Sequence, residues 1–221
     1  MSIKGIIFDL DGTLLDTLDD LADGVNAALR DFYFPERSRE EVRHFVGNGV
    51  GNLIRQAVPA GTDSATLGQV HEAFMAHYTE NLIQKTRPYP GIVDLLETLA
   101  LSGYHLGVLS NKPHRATETL VRHFFPDTFS YILGHKEENP RKPDPTTLLK
   151  MAGDMGLDPE EICYIGDSEV DVATCRQAQV AGAFCLWGFR SEEALKEAGA
   201  GLFLDEPAEL LARLLAGEVS L

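Results

Sequence analysis

The sequence predicts an α/β fold, in which a Rossmann-like parallel sheet flanked by helices is interrupted by an inserted all-helical domain. Beyond residue 88, short apolar stretches alternate with amphipathic helical stretches, which is the pattern of βαβ units. Residues 16–87 contain helical patterns and no convincing strand, and this stretch is too long for a loop in a compact domain. We therefore predict a core of residues 1–15 and 88–221 and a helical cap of residues 16–87.

The first apolar stretch, residues 3–8, is a predicted buried strand that ends in two aspartates, Asp9 and Asp11. Alternate side chains of a strand face opposite ways, so both carboxylates reach one pocket only if the chain turns between them. Gly12 gives the backbone the freedom for that turn. Two close carboxylates repel unless a cation or a donor lies between them, and oxygen ligands suit a hard metal ion. A simple turn with Asx-type hydrogen bonds explains this segment equally well.

The other elements are assigned from the spacing of apolar residues and from capping patterns. Helices are predicted in the cap at residues 17–32, 38–45, 50–58 and 63–83. Further strands are predicted at residues 104–109, 131–133, 161–165 and 183–187. Ser38 and Glu41 form the capping-box pattern that opens the second of the cap helices.

Polar side chains follow two of the predicted core strands at the point where each strand ends. Ser110 and Asn111 follow one of them, and Asp167 and Asp171 follow another. In open α/β sheets, ligands bind outside the carboxyl ends of the strands. We therefore expect these groups to gather with the two aspartates of the first strand.

Lys142 lies in a proline-rich stretch between the third and fourth predicted strands. Pro143 biases it towards an extended conformation, so its side chain is presented from a stiff loop near the same sheet edge. A lone lysine is usually an ordinary surface residue. A lysine that faces carboxylates and lies beside a hydroxyl is better suited to bind a phosphate group. Without a histidine base, this set of groups indicates phosphoryl transfer by an attacking carboxylate, with a second carboxylate as general acid and base. Mg²⁺ would offset the charge repulsion.

The composition narrows the classes of partner. A formal net charge of −15 argues against nucleic acid and anionic membranes. No apolar run approaches the roughly 20 residues of a membrane helix, and the chain opens on a strand without a signal-peptide layout. Cys163, Cys175 and Cys185 form no metal or redox motif, which favours core thiols in a reducing compartment. We expect a cytoplasmic monomer or homodimer that acts on a small phosphate ester.

Four motifs in order resemble those of the haloacid dehalogenase superfamily of hydrolases, in the group with a helical cap inserted after the first strand. The motifs are Asp9-Leu10-Asp11-Gly12-Thr13, Ser110, Lys142 and Gly166-Asp167-Ser168-Glu169-Val170-Asp171. Within the superfamily, residues 45–53 and 110–113 are similar to the phosphoglycolate phosphatase group.

The resemblance implies a role for each acidic residue of the motifs. Asp9 would be the nucleophile and a metal ligand, and Asp11 would be the general acid and base. The backbone carbonyl of Asp11 and the carboxylate of Asp167 would complete a Mg²⁺ site. Asp171 would orient water or Lys142.

The same resemblance implies that Ser110 and Lys142 hold the transferring phosphoryl group. Thr13 and Asn111 would be supporting contacts to the phosphate.

The glycine-rich stretch of the cap is either a break between helices or a loop that reaches the substrate. The cap residues predicted to select the substrate are Arg43, Gly47, Asn48, Gly49 and Arg55. In the second interpretation, Arg43, His44 or Arg55 meets a substrate carboxylate.

The resemblance therefore implies a Mg²⁺-dependent phosphatase that hydrolyses a small phosphomonoester, such as phosphoglycolate, through an aspartyl-phosphate. A phosphomutase of the β-phosphoglucomutase type and a pyrophosphatase would share the core residues, so both activities remain alternatives at this point. An alternative of another class is a non-catalytic phospho-acceptor module like a receiver domain, although such modules are shorter and carry no inserted cap.

Overall fold

Strand β1, which carries the first pair of aspartates at its end, lies inside a parallel sheet in the computed structural model, which describes residues 2–219. The strands are β1 (Gly5–Phe8), β2 (Leu15–Asp16), β3 (Arg87–Pro88), β4 (His105–Pro113), β5 (Tyr131–His135), β6 (Ile162–Gly166), β7 (Ala181–Cys185) and β8 (Phe203–Leu204). Six of them form one sheet in the order β5-β4-β1-β6-β7-β8.

The sheet is buried on both faces. Ile6 and Phe8 of β1 pack into one apolar cluster, whereas Ile7, between them, packs into a second cluster. Because alternate strand side chains face opposite sides, each cluster covers one face, as expected of a parallel sheet with helices on both sides. The cysteines are buried and free, as expected of core thiols.

Helices alternate with the strands along the core. The helices are α1 (Leu18–Asp31), α2 (Arg39–Phe45), α3 (Val50–Ala57), α4 (Ser64–Glu80), α5 (Ile92–Leu101), α6 (His114–Phe124), α7 (Thr146–Asp154), α8 (Glu169–Ala178), α9 (Glu192–Ala198) and α10 (Ala208–Leu215). None of these helices combines the length and the apolar character that a membrane crossing needs. This architecture confirms the predicted α/β class.

Residues 16–87, called the cap segment below, carry α1 to α4 between β2 and β3, which pair antiparallel. The chain therefore leaves and re-enters the core at neighbouring points. Ser38 accepts a hydrogen bond from the Glu41 N–H, and the Glu41 carboxylate accepts one from the Ser38 N–H, so the predicted capping box starts α2. The division of the chain into two domains stays a prediction.

The return of the cap segment to the core is fixed by Asp20, a carboxylate of α1 that is 2% exposed. It accepts hydrogen bonds from the N–H groups of Lys85 and Thr86 at 3.0 and 2.8 Å, and from the Thr86 hydroxyl at 2.8 Å. Bonds to a buried carboxylate are charge-assisted and short. They tie the first turn of the cap segment to its last residues.

Several core strands differ from their predicted bounds, and the differences at β4 and β7 affect the site. β4 continues past residue 109, because Pro113 pairs with His135 of β5 beyond an irregularity in the ladder. β7 begins two residues earlier than predicted and ends at Cys185. Residues 186–190 therefore leave the sheet and turn back over its carboxyl edge.

We expect Gly134→Ala to destabilise the protein by about 1–3 kcal/mol, the usual cost of overpacking. A Cβ on Gly134 would lie 2.6 Å from the Cα of His114 and 2.7 Å from the carbonyl oxygen of Lys112. Urea unfolding of the purified chain measures the change.

Gly153→Ala is the matched control, since a Cβ there meets nothing within 4 Å and the residue lies in α7. Alanine in a helix is favoured over glycine by about 0.5–1 kcal/mol, so the control should be more stable than wild type. Equal stability of the two variants would contradict the packing described at β5.

Candidate active site

Three carboxylates meet at the carboxyl edge of the sheet. Asp9 follows β1, Asp167 follows β6, and Asp171 lies in the first turn of α8. All three are buried, and each offers an oxygen within 4.8 Å of those of the other two. Adjacent parallel strands end at the same edge, so the structure brings together acidic residues from the first and last motifs.

Lys142 supplies a positive charge between two of these carboxylates. Its Nζ lies 3.0 Å from Asp9 Oδ2 and 2.8 Å from Asp171 Oδ1, and it donates to the Tyr164 hydroxyl at 2.8 Å. Burial alone would lower the pKa of Lys142, but the carboxylates of Asp171 and Asp9 outweigh burial and raise it above the ordinary value. Lys142 is therefore charged at neutral pH and lies where an anion that approaches Asp9 can meet it.

Asp171 has its hydrogen-bonding capacity taken by protein groups. Oδ1 accepts from Lys142 and from the Tyr164 hydroxyl at 3.1 Å. Oδ2 accepts from the Ser168 hydroxyl at 2.6 Å and from the N–H groups of Ser168 and Asp167 at 3.1 and 3.2 Å. A carboxylate with five donors has little left to offer a metal ion. Its contacts therefore favour the orientation of Lys142 over metal binding.

Asp167 is held by two donors and by the turn that follows β1. The N–H of Phe189 donates to Oδ2 at 2.7 Å, and the Thr13 hydroxyl donates to Oδ1 at 3.3 Å. Gly12 has a φ of +83°, and a Cβ on it would lie 2.2 Å from Asp167 Oδ2, so only glycine fits the turn. Thr13, predicted as a phosphate contact, is fully buried and contacts this carboxylate instead.

A second buried lysine, Lys112, pairs with Asp11. Its Nζ lies 2.8 and 3.0 Å from the two carboxylate oxygens, and the Thr17 hydroxyl donates to Asp11 Oδ1 at 2.7 Å. Burial would lower the pKa of Lys112, but the charge of Asp11 outweighs it and raises that pKa. Sequence reasoning missed this residue, because β4 was predicted to end too early. The available signal was the Lys112-Pro113 pair, which repeats the Lys142-Pro143 pattern.

Ser110 and Asn111 lie beside each other on β4 but differ in what they can bind. Ser110 lines the cavity, and its oxygen accepts the N–H of Lys112 at 3.3 Å, so its hydroxyl can still donate. The amide of Asn111, predicted as a phosphate contact, bonds to the N–H and the carbonyl of Lys142, both at 2.9 Å. It also donates to the carbonyl of Gly47 at 3.1 Å, which ties the Lys142 loop to the cap segment.

The buried charges of the site do not balance. The acidic groups are Asp9, Asp11, Asp167 and Asp171, and the ammonium groups are those of Lys112 and Lys142. Four carboxylates against two ammonium groups leave two negative charges. Burial, with the charges of Asp171 and Asp11, raises the pKa of Asp9 to about 6 against the opposing effect of Lys142. Burial, with Asp171 and Asp9, raises the pKa of Asp167 well above its ordinary value.

The excess of negative charge and the available oxygens fit a divalent cation. Asp9 Oδ1 accepts the N–H of Leu10 at 2.7 Å and keeps a second lone pair. Within residues 2–219, no hydrogen bond to the backbone carbonyl of Asp11 is found. Carboxylate and carbonyl oxygens are the ligands that Mg²⁺ prefers. Asp9, Asp167 and the Asp11 carbonyl are therefore the groups that can hold such an ion.

A cavity lies above these groups, between the core and the cap segment. Its core side is formed by Asp9, Asp11, Ser110, Asn111, Lys112, Asp167, Ser168, Phe189 and Arg190. Its cap side is formed by Leu21, Val46, Gly47, Gly49, Val50, Leu53 and Tyr78. The space open to the centres of water molecules is about 40 Å³, which suits a few waters or a small ligand rather than a large one.

The glycine-rich loop of the cap segment reaches the cavity through its glycines rather than through the predicted arginines. Gly47 and Gly49 line the cavity with φ values of +122° and +79°, which glycine adopts readily. Arg43 donates instead to a core carbonyl at 3.1 Å, and Asn48 and Arg55 are exposed. Substrate selection by these three residues stays a prediction, which their contacts in this conformation do not support.

Arg190 joins the core to the end of α2. Its guanidinium donates to the carbonyls of Arg43 and Val46 at 2.9 and 2.7 Å, and to the Glu169 carboxylate at 2.9 Å. A cation is favourable at the end of a helix, where the last carbonyls carry partial negative charge. Phe189, the preceding residue, donates to a site carboxylate, so one short loop contacts both the site and the cap segment.

The raised pKa of Asp9 predicts how the metal-free protein responds to pH. The folded chain keeps the Asp9 proton to about pH 6, whereas the unfolded chain loses it near about pH 3.9. Between these values the folded state binds more protons, so the Asp9 contribution to stability falls as the pH rises. Asp9→Asn mimics the protonated form. Its free energy of unfolding should therefore exceed that of wild type by up to about 3 kcal/mol at pH 7.

The measurement is urea unfolding of both proteins in a chelator, from pH 4 to pH 8. The difference should vanish near pH 4 and be complete above pH 6. Asp205→Asn, at an exposed position, is the control and should track wild type throughout. A constant difference at every pH would contradict the raised pKa of the buried Asp9.

Comparisons with known proteins identify the family to which the chain belongs. The model of the haloacid dehalogenase-like hydrolase family matches residues 6–184. A phosphoglycolate phosphatase of Haemophilus influenzae (strain 86-028NP) is 35% identical over 216 residues, which cover 94% of this chain and 96% of the relative. A phosphoglycolate phosphatase of Cereibacter sphaeroides is 35% identical over 220 residues, which cover 97% of this chain and all of the relative.

A solved structure is similar over the same length. The crystal structure of a candidate phosphoglycolate phosphatase from Lactobacillus delbrueckii subsp. bulgaricus matches with a TM-score of 0.91 and 31% identity. The match covers 97% of this chain and 99% of that one. The chain therefore belongs to the haloacid dehalogenase-like hydrolase family, as a phosphatase-type hydrolase, and this confirms the resemblance inferred from its four motifs.

Proposed function

We propose that the chain hydrolyses a small phosphomonoester of the phosphoglycolate kind, with Mg²⁺ as cofactor and an aspartyl-phosphate as intermediate. The observation that carries this proposal is the position of Asp9. Its carboxylate lines the cavity, pairs with Lys142 at 3.0 Å, and shares a buried, negatively charged site with Asp167. A carboxylate held in this way can attack a phosphorus atom that Lys142 helps to position.

The first step transfers the phosphoryl group to Asp9. An oxygen of Asp9 forms a bond to phosphorus as the bond from phosphorus to the ester oxygen breaks. Asp11, which lines the same cavity, donates a proton to the departing oxygen, so the leaving group is released as a neutral hydroxyl.

The second step releases phosphate. Asp11, now ionised, accepts a proton from a water molecule, whose oxygen attacks the phosphorus of the aspartyl-phosphate. The bond to Asp9 breaks, and inorganic phosphate leaves. The contacts of Asp11 with Lys112 and Thr17 support this role by fixing the position of its carboxylate at the wall of the cavity.

We assign the binding of the phosphoryl oxygens to the Lys142 ammonium, which comes from the loop before α7, and to the Ser110 hydroxyl, which comes from β4 and lines the cavity. When bound, Mg²⁺ would offset the repulsion between the Asp9 carboxylate and the phosphate. Asp9, Asp167 and the Asp11 carbonyl would hold it.

The substrate class rests on the relatives and on the size of the cavity. Relatives that match over nearly the whole chain are named phosphoglycolate phosphatase. The cavity favours a small ester, and phosphoglycolate is small. The cytoplasmic location, the monomeric or homodimeric state and the absence of nucleic-acid and membrane partners remain predictions from the sequence.

Substitution of the two aspartates of the first motif separates the steps. Asp9→Asn should abolish turnover, because an amide cannot form the intermediate. Asp11→Asn should still accept phosphate but hydrolyse the intermediate at least about 100-fold more slowly, because the general base is lost. Phosphate release from phosphoglycolate and from p-nitrophenyl phosphate, together with intact-mass detection of a phosphorylated chain, measures both effects.

Asp205→Asn is the control for that experiment and should retain wild-type turnover. Full activity of Asp9→Asn would overturn the assignment of the nucleophile. A single phosphate retained per wild-type chain, without repeated turnover, would instead indicate a phospho-acceptor module. A panel that includes sugar phosphates and pyrophosphate separates phosphatase from mutase or pyrophosphatase activity.

Removal of a proposed metal ligand should weaken Mg²⁺ binding without unfolding the chain. In Asp167→Asn we expect the affinity for Mg²⁺ to fall by more than about 10-fold, because one anionic ligand is lost. Trp187 is the one tryptophan of the chain, and its indole N–H donates to the Thr13 carbonyl at 3.0 Å. Its fluorescence can therefore follow Mg²⁺ titrations in the absence of substrate.

Asp154→Asn, which alters an exposed pair with Lys150, is the matched control and should bind Mg²⁺ like wild type. Equal affinity of Asp167→Asn and wild type would remove Asp167 from the metal site.

A further inference from the structure

The wall of the cavity beside Asp11 carries a buried cation that the proposed reaction does not need for phosphate binding. Lys112 is 5% exposed, lines the cavity and lies at the end of β4, two residues after Ser110. Its ammonium has three donors, and its contact with Asp11 places it beside the group that would protonate the leaving oxygen. A cation there lies next to the leaving group and not next to the phosphate.

A second, independent feature faces the same place from the cap segment. Tyr78 of α4 is 1% exposed, stacks on Phe74 at 5.2 Å, and lines the cavity. Within the described residues its buried hydroxyl makes no well-formed hydrogen bond, and the side chain it can interact with is that of Lys112. A buried hydroxyl without a partner is costly, and it costs less when a ligand supplies the partner. The Lys112 Nζ lies 4.9 Å from the centre of the Tyr78 ring, so one small anion can reach both groups.

The other charged groups near this wall are already engaged. Arg43 and Arg190 donate to carbonyls across the contact between the core and the cap segment. The remaining neighbours on the cap side include Leu21 and Leu53, which are apolar. Lys112 and Tyr78 are therefore the polar groups placed to recognise what is attached to the leaving oxygen.

We propose that the Lys112 ammonium and the Tyr78 hydroxyl together bind a carboxylate carried by the leaving group. This inference rests on the proposed phosphatase function and narrows its substrate class to phosphate esters of small 2-hydroxy carboxylic acids. In such an ester, one carbon separates the carboxylate from the leaving oxygen. A cation that touches the general acid Asp11 is therefore within reach of that carboxylate. This assignment takes the place of the sequence-based expectation that Arg43, His44 or Arg55 binds the carboxylate.

The test compares two substrates that differ only at the carboxylate. Phosphoglycolate is the first, and 2-hydroxyethyl phosphate, in which a CH₂OH group replaces the carboxylate, is the second. The quantity measured is the ratio of kcat/KM for the two substrates in wild type, Tyr78→Phe and Lys112→Met. The control variants Tyr131→Phe and Lys150→Met alter a half-buried and an exposed side chain, both outside the cavity lining.

We expect the ratio to fall about 10-fold in Tyr78→Phe and about 100-fold in Lys112→Met, the usual effect of losing bonds to a charged group. In Tyr78→Phe we expect kcat/KM to fall for phosphoglycolate and to change little for 2-hydroxyethyl phosphate. Binding of 3-phosphonopropionate, a non-hydrolysable analogue, should weaken in parallel by calorimetry, and binding of propylphosphonate should not. The two control variants should keep the wild-type ratio.

Equal losses of kcat/KM for both substrates, with an unchanged ratio, would overturn this inference, because they would indicate that the two residues only position Asp11. The proposed phosphatase function would then still stand. An unchanged ratio in Tyr78→Phe would show that Tyr78 does not bind the carboxylate, and this result would hold even if Lys112→Met failed to fold. Absence of any turnover by wild type, with p-nitrophenyl phosphate included, would overturn the proposed function and this inference together.

Discussion

Four carboxylates, three of them buried, and two ammonium groups share the carboxyl edge of the sheet, and the rest of the site is arranged around that imbalance. Lys112 pairs with Asp11, and Lys142 pairs with Asp9. Asp167 has a hydroxyl and one N–H as donors but no lysine partner. Removing charges from water costs several kcal/mol per ion unless they are paired. A divalent cation held between Asp9 and Asp167 would supply the missing charge and at the same time offset the repulsion between Asp9 and an anionic substrate.

The contacts that hold the cap segment against the core begin at the same residues. Asn111 ties the Lys142 loop to the carbonyl of Gly47, and Arg190 binds the last carbonyls of α2. The residue before Arg190, Phe189, donates to Asp167. A shift of the cap segment would therefore disturb the site, because Asn111 contacts both Lys142 and the cap segment. The loop of Phe189 and Arg190 likewise contacts both Asp167 and the cap segment. Closure of such a segment excludes water from the chemistry.

Much of this site follows from one rule, which is that parallel strands end at a common edge. That rule predicted the meeting of Asp9 and Asp167 from the strand positions, whereas Lys142 was placed near them by the proline-rich loop between the third and fourth predicted strands. It could not place Lys112, because a strand pairing beyond residue 109 is a tertiary feature, nor Tyr78, because the inward face of α4 depends on how the cap segment packs. Nor could it give the contacts of Thr13 with Asp167 and of Asn111 with Lys142, because these depend on how distant segments pack; a role of either residue in phosphate binding stays a prediction.

The central claim is that the acidic residues of the first and last motifs share a single cation. Crystals of the chain grown with Mn²⁺ in place of Mg²⁺, measured by anomalous scattering, test it directly. The account predicts one strong peak within bonding distance of the carboxylates of Asp9 and Asp167 and of the backbone carbonyl of Asp11. A peak elsewhere in the molecule, or no peak between these two carboxylates at saturating Mn²⁺, would contradict it.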